Sequence, residues 1–135
     1  MSKNGQKPPI ELIFEWIGIS EQIKQHNLFL NTKCKELIEL FQENGFQSCI
    51  LKGQGNSLMY PEPLLRMPGD IDIWVKGSRE EILSFCRSKY ESSDVRCHHI
   101  QLPIWNNVDV EVHFKPTYSW NPRLSKRTNQ YFSFF

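Results

Sequence analysis

The sequence lacks the features that mark membrane proteins, secreted proteins and zinc ribbons. No apolar run approaches the roughly 20 residues that a membrane-spanning helix needs, and the first residues contain no apolar signal-peptide core. The four cysteines form no C-x-x-C pair, which argues against a zinc ribbon, and their wide spacing argues against a secreted disulfide framework. We therefore predict a cytoplasmic protein with reduced thiols and no membrane partner.

An excess of charge of either sign is also missing. The chain has 16 Lys and Arg residues against 15 Asp and Glu residues, which gives a net charge of +1. This balance excludes a protein that binds polyphosphates through bulk charge, although it leaves room for a local site. Basic and aromatic residues alternate near the C-terminus, a pattern that can bind single-stranded nucleic acid. The low net charge makes nucleic acid a possible partner but not the favoured one.

The sequence does contain enough apolar residues for one folded domain. It has 135 residues, of which 39% are hydrophobic, and a domain of this length can bury roughly two thirds of its unfolded surface. We predict a flexible lead-in over residues 1–8, one folded domain over residues 9–115 and an extension over residues 116–135. Because the extension ends on apolar residues, we interpret it as the start of a further helical part or as a homodimer contact.

The N-terminal third of the chain has the apolar spacing of amphipathic helices. Residues 9–30 carry this spacing, and we expect a break at residues 18–20, which include a glycine. A second helix is expected to begin with Thr32 as its N-cap and to end at Asn44-Gly45.

Strands and turns are predicted in the rest of the chain. Ser78 and Glu81 form a capping box that opens a further helix. A turn is expected over residues 52–56 and a helical turn over residues 57–60. Apolar and alternating segments predict four strands, over residues 49–51, 70–75, 95–102 and 108–114.

Two of these strands carry acidic residues at every second position. Side chains alternate along a strand, so Asp70 and Asp72 share one face of the first strand. By the same rule Asp109, Glu111 and His113 share one face of the other. The residues between them are apolar and are expected to face a core. If the two strands are neighbours, three or four carboxylates lie in one patch.

Such a patch requires a counter-charge. Two carboxylates about 4 Å apart repel by roughly 4 kcal/mol at an effective dielectric near 20. Mg²⁺ binds carboxylate oxygens together with substrate phosphates, and two such ions can serve a phosphoryl displacement. The alternative is an acidic face that is merely solvated, which accounts equally well for Asp109 and Glu111 taken alone.

An ordered set of short motifs resembles the uncharacterised nucleotidyltransferase family of the DNA polymerase beta superfamily. The resemblance implies an α+β fold with a small mixed β-sheet flanked by helices, and a catalytic domain over residues 9–115. The motifs that carry it are Leu51-Lys52-Gly53, Tyr60-Pro61, Arg66, Gly69-Asp70-Ile71-Asp72-Ile73 and Val110-Glu111-Val112-His113.

The resemblance implies a reaction and a set of acidic residues that support it. A nucleoside monophosphate would move from an NTP to an unidentified acceptor hydroxyl, with release of pyrophosphate. Asp70 and Asp72 would bind Mg²⁺ or Mn²⁺, as two ions, together with a third acid. Glu111 best matches this third acid, which helps to activate the acceptor, and Asp109 is its nearest competitor.

The resemblance also implies contacts with the nucleotide. Gly53 matches the glycine turn whose backbone N–H groups approach the phosphates. Gln54 stands where the superfamily usually has serine, and Ser57 is the hydroxyl nearby. Lys52 and Arg66 are candidate phosphate contacts. The alternatives are a solvated charge for Lys52 and an ion pair with one of the aspartates for Arg66.

The histidines allow more than one interpretation. His113 could tune Glu111 or touch a phosphate, and the alternative is a structural histidine bonded to a carboxylate. The sequence Cys97-His98-His99 resembles part of a zinc site, but only His113 offers a further ligand. Alternation along a strand is therefore the preferred account of Cys97-His98-His99.

Two other functional classes remain open beside the enzyme. A catalytically incomplete domain of the same fold could bind a nucleotide or a protein partner without chemistry. An interaction domain with a solvated acidic face would be indifferent to both metal and nucleotide. Metal-dependent NTP binding separates the enzyme from these alternatives.

Overall fold

The computed structural model describes residues 7–91 and 94–132. Within these ranges, helices surround one small sheet, which confirms the predicted α+β fold. The helices and strands, in chain order, are α1 (Ile10–Glu43), β1 (Gln47–Ile50), α2 (Lys52–Ser57), a 3-10 turn (Pro63–Leu65), β2 (Ile71–Lys76), α3 (Arg79–Lys89), β3 (His99–Gln101), β4 (Val110–His113) and α4 (Pro122–Phe132).

Helix α1 is continuous over 34 residues, so the predicted break at residues 18–20 and the predicted cap at Thr32 are both wrong. A Cβ placed on Gly18 would meet nothing within 4 Å, and a single helical glycine costs only about 1 kcal/mol. The Thr32 hydroxyl donates to the Leu28 carbonyl inside the helix. The predicted end is confirmed, because Gly45 follows the helix with φ of 84°.

One buried stripe holds the second half of α1 against the rest of the protein. Its residues recur every three or four positions, as expected for a helix face that packs on a core. At the far end of the stripe, the rings of Phe41 and Phe85 lie 5.4 Å apart, which brings α3 against α1. The buried residues of α1 are Asn27, Leu30, Cys34, Leu37 and Phe41.

The sheet is mixed and has the strand order β1-β2-β4-β3. Strand β1 is antiparallel to β2, β2 is parallel to β4, and β3 is antiparallel to β4. Strands β3 and β4 are shorter than predicted, since Val95 and Val108 form only isolated bridges beyond their ends. The two central strands, β2 and β4, are therefore direct neighbours, and this is the condition on which the acidic patch depends.

Residues 52–60 also differ from the expectation. The predicted turn over residues 52–56 is helix α2, which starts directly after β1. The predicted helical turn over residues 57–60 is instead the hydrogen-bonded turn that ends this helix, with Tyr60 N–H donating to the Ser57 carbonyl. The capping box of Ser78 and Glu81 at the start of α3 is confirmed, with both reciprocal bonds formed.

The four cysteines form no disulfide in the structure, and their predicted reduced state stays a prediction. All four are free, and Cys34 and Cys86 are buried in the core. Burial raises the pKa of both of these thiols to about 11, so they stay protonated and unreactive at neutral pH. None of the helices in the described ranges is long and apolar enough to cross a membrane.

The lead-in and the extension are placed only in part. Residues 1–6 and 133–135 lie outside the described ranges, so the predicted flexible lead-in stays a prediction. Part of the extension forms α4, in which no described residue is buried. The Asn121 side chain accepts from the backbone N–H groups of Arg123 and Leu124 and so caps this helix.

Gly55 of α2 packs directly against the backbone at the end of β1. A Cβ built on it would lie 2.6 Å from the carbonyl oxygen of Ile50, a distance that backbone atoms can relieve only by moving apart. We expect Gly55→Ala to lower the free energy of unfolding by about 1–3 kcal/mol, measured by urea denaturation.

Gly18→Ala is the matched control, because the same substitution there meets open space within a helix. It should raise the free energy of unfolding by up to about 1 kcal/mol through helix propensity. A Gly55→Ala variant as stable as the unsubstituted protein would contradict the close packing of α2 on β1.

Candidate functional site

Three carboxylates meet where β2 and β4 run side by side. Asp72 lies directly opposite Glu111 in the parallel register, and Asp70 immediately precedes β2. Each of the three residues has a carboxylate oxygen within 4.8 Å of the other two. Oxygen atoms alone make up this group, and such a donor set suits a hard cation such as Mg²⁺ or Mn²⁺.

Asp109 is not part of this group of three. Its side chain is exposed, and its backbone carbonyl accepts a 2.9 Å hydrogen bond from Ile71 N–H. Asp109 therefore contributes to the pairing of β2 with β4 through its backbone. The geometry favours Glu111 over Asp109 as the third acid, and the catalytic role of either residue stays a prediction.

Asp72 is the most enclosed of the three acids, and it has two partners. Its side chain is only 5% exposed, and its Oδ1 lies 2.7 Å from Lys52 Nζ and 2.7 Å from His113 Nε2. Burial acts to raise the pKa of the Asp72 carboxyl, but the bonds to His113 and Lys52 outweigh it and hold this pKa below its ordinary value. Asp72 is therefore a carboxylate throughout the neutral range.

Lys52 reaches Asp72 from an unusual backbone conformation. Among the described non-glycine residues it alone has a positive φ, of 40°, and such conformations cluster at functional sites. Its side chain is 63% exposed while its ammonium group contacts Asp72. Lys52 is thus partly solvated but also paired with Asp72. If its ammonium group bound a phosphate, it would do so while it is also bonded to Asp72.

Arg66 lies beside Gly53, in the first turn of α2. A Cβ on Gly53 would stand 3.7 Å and 3.8 Å from the two terminal guanidinium nitrogens of Arg66, and 3.5 Å from the Asp70 carbonyl oxygen. One of these nitrogens, Nη1, is buried and has no hydrogen-bond partner in the part of the chain that the structure describes. The structure thus brings Gly53, Arg66 and the Asp70 backbone together and leaves this donor of Arg66 unsatisfied.

Asn27 fixes the loop that carries Arg66, a role that the sequence analysis missed. Asn27 is 1% exposed, and its Nδ2 donates to the carbonyls of Leu64 and Arg66 at 2.8 Å and 2.7 Å. The available signal was a single polar residue within the apolar stripe of α1, because a buried amide needs partners.

Gln54 and Ser57 do not join the acidic group. The Gln54 side chain is buried and donates to Asn31 Oδ1 at 2.7 Å, so it faces α1. The buried Ser57 hydroxyl donates to the Gln54 carbonyl at 2.7 Å. Their predicted contacts with a nucleotide stay predictions. The Ser57 hydroxyl would have to give up this bond to donate to a phosphate, because it has a single proton.

Two histidines flank Glu111. Its Oε2 lies 3.4 Å from Nδ1 of His99 and 3.5 Å from Nε2 of His113. Burial lowers the pKa of His99, against the opposing effect of the Glu111 charge, which favours the neutral imidazole. The bond of His113 to a carboxylate, one of the two interpretations from sequence, is made to Asp72 and not to Glu111.

A family model described as an uncharacterised nucleotidyltransferase matches residues 1–133. The chain belongs to this family. No curated protein and no solved structure shows significant similarity to it. The resemblance drawn from the short motifs is thereby confirmed, and nucleotidyl transfer is the general activity of the family. Such enzymes typically use a divalent metal, for which this chain offers the group of three carboxylates.

Replacing Lys52 with methionine tests how the Asp72 carboxylate is held. The substitution removes one of the two groups that lower the Asp72 pKa, so we expect this pKa to rise in Lys52→Met. The measurement is a carboxyl-carbon NMR titration. Lys35→Met is the matched control, since Lys35 lies on the exposed face of α1 and pairs with Glu39.

The effect of Lys52→Met on the free energy of unfolding should also depend on pH. The Asp72 carboxyl has a lower pKa in the folded protein than in the unfolded chain, where it is about 3.9. Its ionised form therefore stabilises the fold fully above a pH of about 3.9, and this stabilisation is lost as the pH falls through the folded pKa. The gap in unfolding free energy between Lys52→Met and the unsubstituted protein should therefore be present at neutral pH and close in acid. A gap that stayed constant down to the lowest pH would show that Lys52 does not act through Asp72.

Proposed function

We propose that this protein is a divalent-metal-dependent nucleotidyltransferase. It would move a nucleoside monophosphate from an NTP to an acceptor hydroxyl and release pyrophosphate. The observation that supports this most is the meeting of Asp70, Asp72 and Glu111 on two parallel neighbouring strands, in a member of a nucleotidyltransferase family.

The metal would be held by these three carboxylates. Their donor set consists of oxygen atoms only, which fits Mg²⁺ or Mn²⁺, and we propose two ions. The bound metal supplies charge neutralisation at the phosphates. Asp70 is exposed and so faces the side from which a nucleotide can approach, whereas Asp72 is held in place by Lys52 and His113.

The protein's own residues would do the remaining work by position and charge, as phosphoryl transfer requires. The acceptor oxygen forms a bond to the α-phosphorus while the bond to the pyrophosphate oxygen breaks. Glu111 takes the hydroxyl proton through its carboxylate. Arg66, whose Nη1 has no hydrogen-bond partner among the described residues, and Lys52 would bind phosphate oxygens. Gly53 would let the backbone approach them.

A second candidate is a nucleotide-binding or protein-interaction module that has lost catalysis. The observation that favours it is the absence of a free hydroxyl at the glycine turn, where Gln54 replaces serine and Ser57 is buried. Such a module predicts no dependence of NTP binding on a divalent ion.

Calorimetric titration decides between these candidates. We would titrate each of the four NTPs, as analogues with an uncleavable link between the α- and β-phosphates, with and without Mg²⁺. We expect one of them to bind only with Mg²⁺, and Asp70→Asn to lose that binding while its circular dichroism is unchanged. Asp94→Asn is the matched control, because Asp94 is an exposed acid paired with Arg96 outside the site. Binding that persists in Asp70→Asn would refute the assignment.

The two competing acids can be separated in the same assay. Because Glu111 belongs to the group of three and Asp109 does not, Glu111→Gln should weaken Mg²⁺-dependent NTP binding by about tenfold or more, a loss of about 1.4 kcal/mol. Asp109→Asn should have the smaller effect. A larger loss from Asp109→Asn would reverse the choice of third acid.

A further inference from the structure

His99 is a buried histidine whose two ring nitrogens have no hydrogen-bond partner within residues 7–91 and 94–132. It is 5% exposed, and the nearest acidic oxygen, Glu111 Oε2, lies 3.4 Å from its Nδ1 without forming a hydrogen bond. Leaving a buried polar group without a partner costs about 1–3 kcal/mol. Its neighbours do not account for its position, because they contact it through ring faces and edges, as His98 does at 4.5 Å between ring centroids. An unpaired buried imidazole aimed at a carboxylate points to a ligand between them.

The distances around Glu111 suit a tetrahedral ion. His99 Nδ1 and His113 Nε2 lie 3.4 Å and 3.5 Å from the same oxygen, Glu111 Oε2. One ligand atom from each of the three residues lies within 4.8 Å of the others. A tetrahedral zinc ion with bonds of about 2.0–2.1 Å holds its ligand atoms about 3.3–3.4 Å apart. The two nitrogen–oxygen distances therefore match the separation that such an ion imposes, and the two nitrogens lie within 4.8 Å of each other.

We propose that His99, Glu111 and His113 form a second cation site, which takes a nitrogen-preferring ion of the Zn²⁺ class. Two imidazoles and one carboxylate are a common ligand set for zinc with an open fourth position. Imidazole favours Zn²⁺, whereas an all-carboxylate set favours Mg²⁺ or Mn²⁺. The site is thus chemically different from the group of Asp70, Asp72 and Glu111, and shares only Glu111 with it.

This second site goes beyond the proposed function and does not require it. The residues come from β3 and β4, whereas two of the three acids of the other group come from β2 and the residue before it. Ion binding would replace the hydrogen bond between His113 Nε2 and Asp72 with a nitrogen–metal bond. A neutral His113 ring keeps its single proton in this exchange, which moves from Nε2 to Nδ1 through solvent. The exchange would leave Lys52 as the partner of Asp72.

Cobalt is the probe that reports this geometry directly, because tetrahedral Co²⁺ absorbs visible light strongly. We expect the complete chain to bind one Co²⁺ with a tetrahedral visible spectrum and to lose that spectrum when Zn²⁺ is added. His99→Gln should weaken Co²⁺ binding by about tenfold or more. His26→Gln is the matched control, since His26 is an exposed histidine of α1, and it should leave the spectrum unchanged.

Two further variants separate this site from its neighbours. Asp70→Asn should keep the Co²⁺ spectrum, because Asp70 belongs only to the oxygen group. Cys97→Ser should also keep it, which would exclude the exposed thiol next to His98 as a ligand. Since Mg²⁺-dependent NTP binding is measured separately, a failure of the proposed function and a failure of the second site give different results.

Three results would overturn the proposal. They are the absence of a tetrahedral spectrum in the unsubstituted chain, a spectrum that survives in His99→Gln, and one that is lost in Asp70→Asn as fully as in His99→Gln. If His99→Gln does not fold, imidazole-nitrogen NMR of the unsubstituted chain with Zn²⁺ decides. His99 and His113 should shift and His26 should not, and shifts at His26 alone would refute the site.

Discussion

The parallel pairing of β2 with β4 is the constraint on which the rest of the site depends. The inward faces of the two strands, which include Ile73 and Val112, are completely buried. A slip of one residue would turn these side chains to the outside, so core packing fixes the register. The register in turn places Asp72 opposite Glu111. Apolar burial on one face thus forces carboxylates together on the other.

Basic side chains offset part of the repulsion between these close carboxylates. The repulsion between close carboxylates is several kcal/mol in a protein environment, and the sheet offsets part of it with Lys52 and His113, both bonded to the same oxygen of Asp72. Asp70 and Glu111 are left with more freedom and more exposure. The arrangement suits a site in which one carboxylate is fixed in advance and the others complete a metal shell.

Helix α1 supports the site through the side chain of Asn27. Through Asn27 it holds the carbonyls of the loop that carries Arg66, and this loop brings the guanidinium group to Gly53. Glu111 then stands where two ligand chemistries meet, with oxygen donors from β2 on one side and imidazoles from His99 and His113 on the other. Family membership gives the general activity, and this geometry gives the residues that would carry it out.

The sequence by itself determined the features that depend on neighbours along the chain. Period-two alternation put Asp70 and Asp72 on one face, the capping box of Ser78 marked the start of α3, and Gly45 marked the end of α1. The ordered motifs were specific enough to give the family.

The tertiary structure decided whatever depends on contacts across strands and helices. It separated Glu111 from Asp109, gave His113 the partner Asp72, and brought His99 to Glu111 from a strand that precedes β4. It also shows α1 continuous through Gly18, where a single helical glycine costs only about 1 kcal/mol. The physical reason is that local periodicity is set by covalent spacing, whereas these contacts are set by register and packing between residues far apart in sequence.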